Sequence, residues 1–285
     1  MPRQRDIRRR IATLGEINGI LAAMKNLAML ELQKLGRFIE MQRLAVQGIE
    51  EATEDFLSFH RTLMAPHHHL FEIYLLVGSE RGFCGDFNET VIGALQKVTP
   101  AADAGVIKVG SRLFGRPSTA VPTSIHVQGA GIAEEVEGVL TEVVAQLDRL
   151  QREHAKGYPL GLTTFYHDPA TEAVNMRRLL PMPDLPPPAP GFSFAPLLNL
   201  APAQLLPKLV DQYLYAVLHE VLYGSLLVEN QRRLRHMEGA MRRLESDLDR
   251  LKVRYNQLRQ EEIVEEIEVI LLSAKAVAAG AGGQL

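Results

Sequence analysis

The stretch Leu234-Arg-His-Met237-Glu-Gly-Ala-Met241-Arg-Arg-Leu244-Glu-Ser-Asp-Leu248-Asp-Arg-Leu251-Lys-Val-Arg-Tyr255-Asn-Gln-Leu258 decides the fold. Its apolar residues fall alternately three and four apart without a break. An ideal helix turns every ~3.6 residues, so a sustained heptad seam supercoils left-handed around a partner helix. The intervening Arg, Lys, Glu, Asp and Gln suit a solvated outer face. Neither Pro nor Gly interrupts the run from Ala240 to Ala279. At ~1.5 Å per residue, a helix from Leu205 to Val277 would be about 110 Å long. That is far more than a globular domain needs, so any function must account for a long supercoiled rod.

The 285 residues around this seam leave room for one or two domains. Hydrophobic residues make up 46% and the formal net charge is −3, so bulk charge gives no argument for a nucleic-acid partner. The single cysteine, Cys84, excludes an internal disulfide and points to an intracellular compartment. No apolar run has the length of a membrane span. Arg3, Arg5, Arg8, Arg9 and Arg10 are not followed by the apolar region of a secretory signal. An amphipathic transit peptide is the competing reading, and Asp6 and the continuing helical pattern argue against it.

Upstream, residues 1–60 read as one long helix. Its apolar stripe runs through Ile7, Ile11, Leu14, Leu21, Met24, Ala28 and Leu32, then Leu35, Phe38, Met41, Ala45, Ile49, Ala52 and Phe56. Gly15, Gly19, Gly36 and Gly48 each weaken it by about 1 kcal/mol relative to Ala, and small residues also let two helix backbones come close. The C-terminal seam is the obvious antiparallel partner. Pro66 and the run His67 to His69 end this helix. Neighbouring histidines in a loop rarely converge on one ion, so a solvated loop is expected there rather than a metal site.

Residues 70–181 change character. Phe71–Val77 and Gly105–Val109 read as short buried strands, each followed by glycine. Asn88–Val98 reads as a helix with Asn88 as N-cap. Arg112–Phe114 reads as a short helical piece and Val121–Val127 as an extended segment. Ile132–His154 reads as an amphipathic helix through Val136, Val139, Leu140, Val143, Leu147 and Leu150. Gly161–Tyr166 and Ala173–Leu180 read as late strands. Strands alternating with helices imply an α/β layer domain. Residues 182–206, rich in Pro, read as a stiff connector, and 207–285 as the second long helix. Two remote helices must therefore meet, with a domain hung between them.

No catalytic constellation emerges. The run Ser79-Glu-Arg-Gly-Phe-Cys-Gly-Asp-Phe-Asn88 lies where a dinucleotide-binding loop would, but Gly78, Gly82 and Gly85 lack the G-x-G-x-x-G spacing and no Walker Lys-Ser/Thr follows. A tight strand-to-helix turn is the simpler reading, with Cys84 a structural thiol. In the last helix Arg232, Arg233, Arg235, Arg242, Arg243, Arg250, Lys252, Arg254 and Arg259 give way to Glu261, Glu262, Glu265, Glu266 and Glu268. The apolar set changes phase there to Ile263, Ile267, Ile270, Ala274 and Val277. A different partner surface is expected beyond Leu258, with the small apolar end inside a sheath.

Three separated stretches, in order along almost the whole chain, then resemble the gamma subunits of F-type ATP synthases. These are Ile7 to Ile11 with Ile20, Ala23-Met-Lys25, Ala28 and Leu32; Arg81-Gly82, Cys84-Gly85 and Asn88; and Glu229, Arg233, Met237, Tyr255-Asn256 and Arg259-Gln260. Leu180-Pro181 and Pro196 also fit. The resemblance implies an antiparallel two-helix coiled coil with an inserted Rossmann-like α/β domain. It implies a central rotor shaft, not itself an enzyme and without a cofactor, coupling ion flow to ATP synthesis or hydrolysis. The implied partners are alpha and beta subunits (one copy of this chain inside an alpha3beta3 ring), the epsilon subunit and the membrane c-ring. By the same resemblance Met24, Arg259, Gln260 and Ile263 face the ring, and Arg81, Asn88, Phe194 and Pro196 face the epsilon and c-ring side. The implied location is peripheral, on the cytoplasmic face of a bacterial plasma membrane. The sequence departs from the family pattern at Glu16, Ile17, Met241 to Leu244, Val264 and Ala195. From the residues alone, a coiled-coil tether with an α/β ligand-binding head is the alternative.

Overall fold

The computed structural model describes residues 2–63, 69–98, 104–115, 123–154, 158–182 and 194–281. In chain order the elements are α1 (Pro2–His60), β1 (Phe71–Val77), α2 (Phe87–Gln96), β2 (Gly105–Val109), β3 (Thr123–Val127), α3 (Val136–His154), β4 (Leu160–His167), β5 (Val174–Leu180) and α4 (Pro202–Ala281). Short 3-10 turns lie at Arg61–Leu63, Ser111–Leu113 and Ala133–Glu135. His67, His68 and residues 183–193 of the Pro-rich connector lie outside the described residues. By its internal contacts the chain divides into two compact units, residues 1–26 with 237–285, and residues 27–236.

The larger unit is built on a five-stranded sheet in the order β3-β2-β1-β4-β5. The first four strands are parallel, with Ile73 opposite Gly105 and Phe71 opposite Leu160, and β5 runs antiparallel to β4. Both faces are covered, which is why β1 and β2 read as nearly continuous apolar runs. On one face Tyr74, Leu76, Val106 and Phe165 pack against Val91 and Leu95 of α2. On the other, Ile73, Leu75, Ile107 and Val109 share a core with α3 and with Leu35, Val46, Val217 and Val221 of the long helices. All six apolar residues expected on α3 are buried. Gly110 holds φ +105° where a Cβ would meet the Gly78 carbonyl oxygen at 2.8 Å, so β2 can end in that turn only with glycine.

Within this unit α1 and α4 run antiparallel. Phe38 stacks on Tyr223 at 5.5 Å, and five residues further along α1 Arg43 meets Glu220 at 4.0 Å. Two expectations about α1 are corrected. Its buried stripe passes through Leu35, Ile39, Val46, Thr53 and Phe56, whereas Phe38, Met41, Ala45 and Ala52 are exposed. Two apolar rows lie side by side on α1, and the sequence reading crossed from one to the other. The glycines also do not bring the helices together. A Cβ at Gly15, Gly19, Gly36 or Gly48 would meet nothing within 4 Å.

α4 starts at Pro202, three residues before the expected Leu205. The Ala201 carbonyl accepts the N–H groups of Gln204 and Leu205 at 2.8 and 3.0 Å. Pro202 suits a first helical position because the N–H it lacks would be unpaired there. Pro207 lies inside the helix and removes only one ladder bond near its start.

In the smaller unit, Ile7, Ile11, Leu14 and Asn18 of α1 are half-buried and Leu21 is buried. On α4 Met237 is fully buried, and Met241, Leu244, Leu248, Leu251, Tyr255 and Leu258 are half-buried with almost every residue between them exposed. This is the heptad seam, and the departures Met241 and Leu244 lie on it. Lys25 pairs with Glu238 at 2.8 Å, joining the two helices of this unit.

Candidate functional site

The order β3-β2-β1-β4-β5 places a switch point between β1 and β4, whose following connections leave to opposite sides. In open α/β sheets that divergence leaves a crevice at the C-terminal ends of the strands, where ligands bind. Here the loops after β1 and β4 grip α4 between Gly224 and Arg235.

The loop after β1 is folded by Asn88. Its Oδ1 accepts the Ser79 N–H at 3.0 Å and its Nδ2 donates to Ser79 Oγ at 2.9 Å. Asn88 is therefore not the expected N-cap. α2 begins at Phe87, Asp86 precedes it without a capping side-chain bond, and Asn88, buried, turns back to satisfy a buried loop amide. The loop then presents the Glu80 and Arg81 N–H groups to the Glu229 carboxylate at 3.2 and 3.1 Å. Glu229 pairs with Arg233 one helical turn on, and the two are 2% and 3% exposed, so this charge pair is out of water. Burial raises the Glu229 carboxyl, opposed by Arg233 and the two loop amides. Arg233 donates to the Gly82 carbonyl at 3.2 Å and to Asn230 Oδ1 at 2.6 Å. Phe83 and Gly85 take the turn at φ +64° and +66°. The Cys84 thiol is pushed up to about 11 by burial and stays protonated. It packs with Phe87 and Val228, as a structural thiol should.

The β4–β5 turn holds the same helix from beside it. Pro169 packs into a notch at Gly224, where a Cβ would come within 2.9 Å of Pro169 Cγ. Arg232 joins the two loops, donating to Asp86 Oδ1 and to the Glu172 carbonyl, each at 2.9 Å, and lying 5.5 Å from the centre of the Phe87 ring. Arg235 pairs with the Glu172 side chain. Beneath them His167, fully buried, stacks on Phe87 at 3.8 Å with Nε2 3.2 Å from Thr90 Oγ1. Burial, helped by the charge of Arg232, pushes its imidazole down to about 3. α1 is tied in separately: Arg177 of β5 meets Glu50 and Glu220 at 2.9 and 3.0 Å, and Lys34 meets Glu134 at 2.8 Å.

The expected contact residues fall in several places. Asn88 is buried, and Arg81, on the same loop, is exposed with its guanidinium over Gly131. Phe194, 86% exposed, and Pro196, exposed, precede α4. In the smaller unit Met24 is half-buried, Arg259 and Gln260 are exposed and Ile263 is 45% exposed. Met24 and Arg259 do not come together. Lys25 pairs with Glu238, and at ~1.5 Å per residue Arg259 lies about 30 Å further along the helix. Sequence reasoning missed Gly224, Glu172, Arg177 and Glu80. The opposite charges of Glu229 and Arg233, four apart on one helix, were a legible signal of an ion pair, though not of its burial.

Among the described residues no set of three His, Cys, Asp or Glu could hold a metal ion. The site is a mechanical joint between an α/β domain and a long helix, with its would-be ligand crevice filled by that helix. The family model described as ATP synthase matches residues 3–277, and the chain belongs to this family, as one of its non-catalytic gamma chains. It is 24% identical to the ATP synthase gamma chain of Heliobacterium modesticaldum over 97% of this chain and 100% of that one. It is 27% identical to that of Pelotomaculum thermopropionicum, again over 97% and 100%. Its fold is similar to a chain of the Euglena gracilis mitochondrial ATP synthase OSCP/F1/c-ring structure, with TM-score 0.62 and 16% identity over 100% of this chain and 97% of that one. A chain of the rotor of the same enzyme gives TM-score 0.56 and 14% identity over 92% and 99%.

Proposed function

We propose that this chain is the central rotor shaft of an F-type ATP synthase, one copy turning inside an alpha3beta3 ring and coupling ion flow through the c-ring to ATP synthesis or hydrolysis. The observation that carries this is the end of α4. Glu262 is the last half-buried position of its seam, and every described side chain from Ile263 to Ala274 is exposed. Ile263, Val264, Ile267, Val269, Ile270, Leu271 and Leu272 are 45–67% exposed. Seven large apolar side chains exposed together on one helix must be covered by something else, and a ring around a shaft covers them without the chain pairing with itself. The protein is thus a peripheral component of a membrane-associated complex, placed here on the cytoplasmic face of a bacterial plasma membrane.

In this reading Met24, Arg259, Gln260 and Ile263 meet the ring. Arg81, Phe194 and Pro196 meet the epsilon subunit and c-ring, and Asn88 acts by holding the Arg81 loop. The division into a first helix (1–60), α/β domain (70–181), connector (182–206) and second helix (207–285) then separates shaft from foot. Co-expression with the alpha and beta subunits, followed by native mass and ATPase measurements, tests the assignment. The expected product has three alpha, three beta and one copy of this chain, with activity altered by R259A and Q260A. Self-association of this chain, without entry into any such ring, overturns it in favour of a tether.

A further inference from the structure

A second set of loop amides lies at the C-terminal ends of β2 and β3, and it already holds an anion. The Glu80 carboxylate accepts the Ser111 N–H at 2.9 Å, the Ser111 hydroxyl at 2.7 Å and the Gly129 N–H at 2.7 Å. Two loops from neighbouring strands thus converge three donors on one carboxylate. The fit is close: a Cβ at Gly129 would sit 3.1 Å from Glu80 Oε2 and 3.0 Å from Gly110 Cα, so a larger residue there would crowd the carboxylate. The arrangement is not sealed. Glu80, Arg81 and His126 line an open polar cleft of about 800 Å³ together with Glu134, Glu135 and Glu142, and Ser111 and Gly129 supply the donors that hold one of these carboxylates. Ligand clefts of α/β domains fall in this size range, and backbone nests of this kind bind phosphate and carboxylate groups.

We infer that Glu80 is a tethered ligand: the nest formed by Ser111 and Gly129 is an oxyanion site that the chain closes with its own carboxylate, and shortening Glu80 opens it to free anions. Glu80 fills the nest while its own N–H is held by Glu229 of α4, so one residue both closes the anion site and joins the helix. For a subunit of a complex that handles ATP, this keeps phosphate-bearing molecules out of an α/β domain that must stay locked to its helix.

The full-length chain carrying Glu80→Ala tests this, with inorganic phosphate, acetate and chloride compared at matched ionic strength by thermal melting and isothermal titration. The variant should melt below the wild type in chloride. Phosphate at ten times its Kd should then raise its melting temperature by about 2–3 °C, while the wild type stays flat. A response to acetate as well as phosphate marks the nest as a general oxyanion site, and a response to phosphate alone marks it as a phosphate site. Adding Ser111→Ala should weaken the binding at least several-fold. A folded Glu80→Ala chain that responds to phosphate no more than to chloride overturns the inference, as does an equal response from the wild type. Should Glu80→Ala not fold in chloride, Glu80→Ser is melted in its place. A chain that folds in neither chloride nor phosphate also overturns it, because the contact would then be purely structural.

Discussion

Glu229 and Arg233 show how much depends on single side chains here. The pair is nearly dry, and the lone pairs and protons it does not share are spent on the loop amides, the Gly82 carbonyl and Asn230. Removing one partner strands the other charge, so Glu229→Ala should cost about 3–5 kcal/mol in urea unfolding, while Arg232→Ala, on a partly solvated pair, should cost less. Gly224→Val would bring a Cβ within 2.9 Å of Pro169 Cγ and should cost about 1–3 kcal/mol by the same measurement. His167 sets a pH limit. Burial holds it neutral in the folded chain down to about pH 3, whereas the unfolded chain protonates it below about pH 6.5. The unfolded state then binds more protons, so stability is complete above about pH 6.5 and declines as pH falls toward 3, by about 2 kcal/mol at pH 5. His167→Phe lacks this component, so the stability difference between the two chains should change with pH below about 6.5 and become constant above neutrality.

At the scale of elements, α1 illustrates a helix read correctly and oriented incorrectly. Its length and apolar character were plain from residue spacing. Which apolar row faced inward was not, because Phe38, Met41 and Ala45 keep helical spacing as well as Leu35, Ile39 and Val46 do, and only the position of the sheet and α4 selects between them. The glycines carry the same lesson. Gly15 and Gly19 looked like contact points, yet open space surrounds them. Gly15→Ala and Gly19→Ala should therefore each raise helix stability by up to about 1 kcal/mol in thermal unfolding of the isolated chain. In contrast α3, β1 and β2 were legible almost residue by residue, because α3 had a single apolar face and each strand a nearly unbroken apolar run ending before a glycine.

For the whole molecule, the apolar end of α4 separates folding from function. Its side chains from Ile263 to Leu272 touch little within the chain, so Ile267→Glu with Ile270→Glu should leave the melting temperature within about 1–2 °C of the wild type, as exposed substitutions do. The same double variant should fail to enter a complex with alpha and beta subunits, or enter it with reduced ATPase activity, because burying two carboxylates in an apolar sheath is costly. Among the described residues no helix is long and apolar enough to cross a membrane.

The sequence by itself determined the periodic features: the heptad seam from Leu234 to Leu258, the buried strands Phe71–Val77 and Gly105–Val109, the amphipathic α3, and the phase change after Leu258. Each of these is a local pattern, set by the 3.6-residue turn of a helix or the two-residue alternation of a strand, and needs no knowledge of distant residues. Only the tertiary structure decided that Glu229, some 150 positions from Glu80 and Arg81, fills the crevice between β1 and β4, that Pro169 needs a glycine at position 224, and that Glu80 closes an anion nest. Those contacts join residues whose separation in sequence carries no period, and a carboxylate looks the same in the sequence whether it faces water or the ends of a sheet.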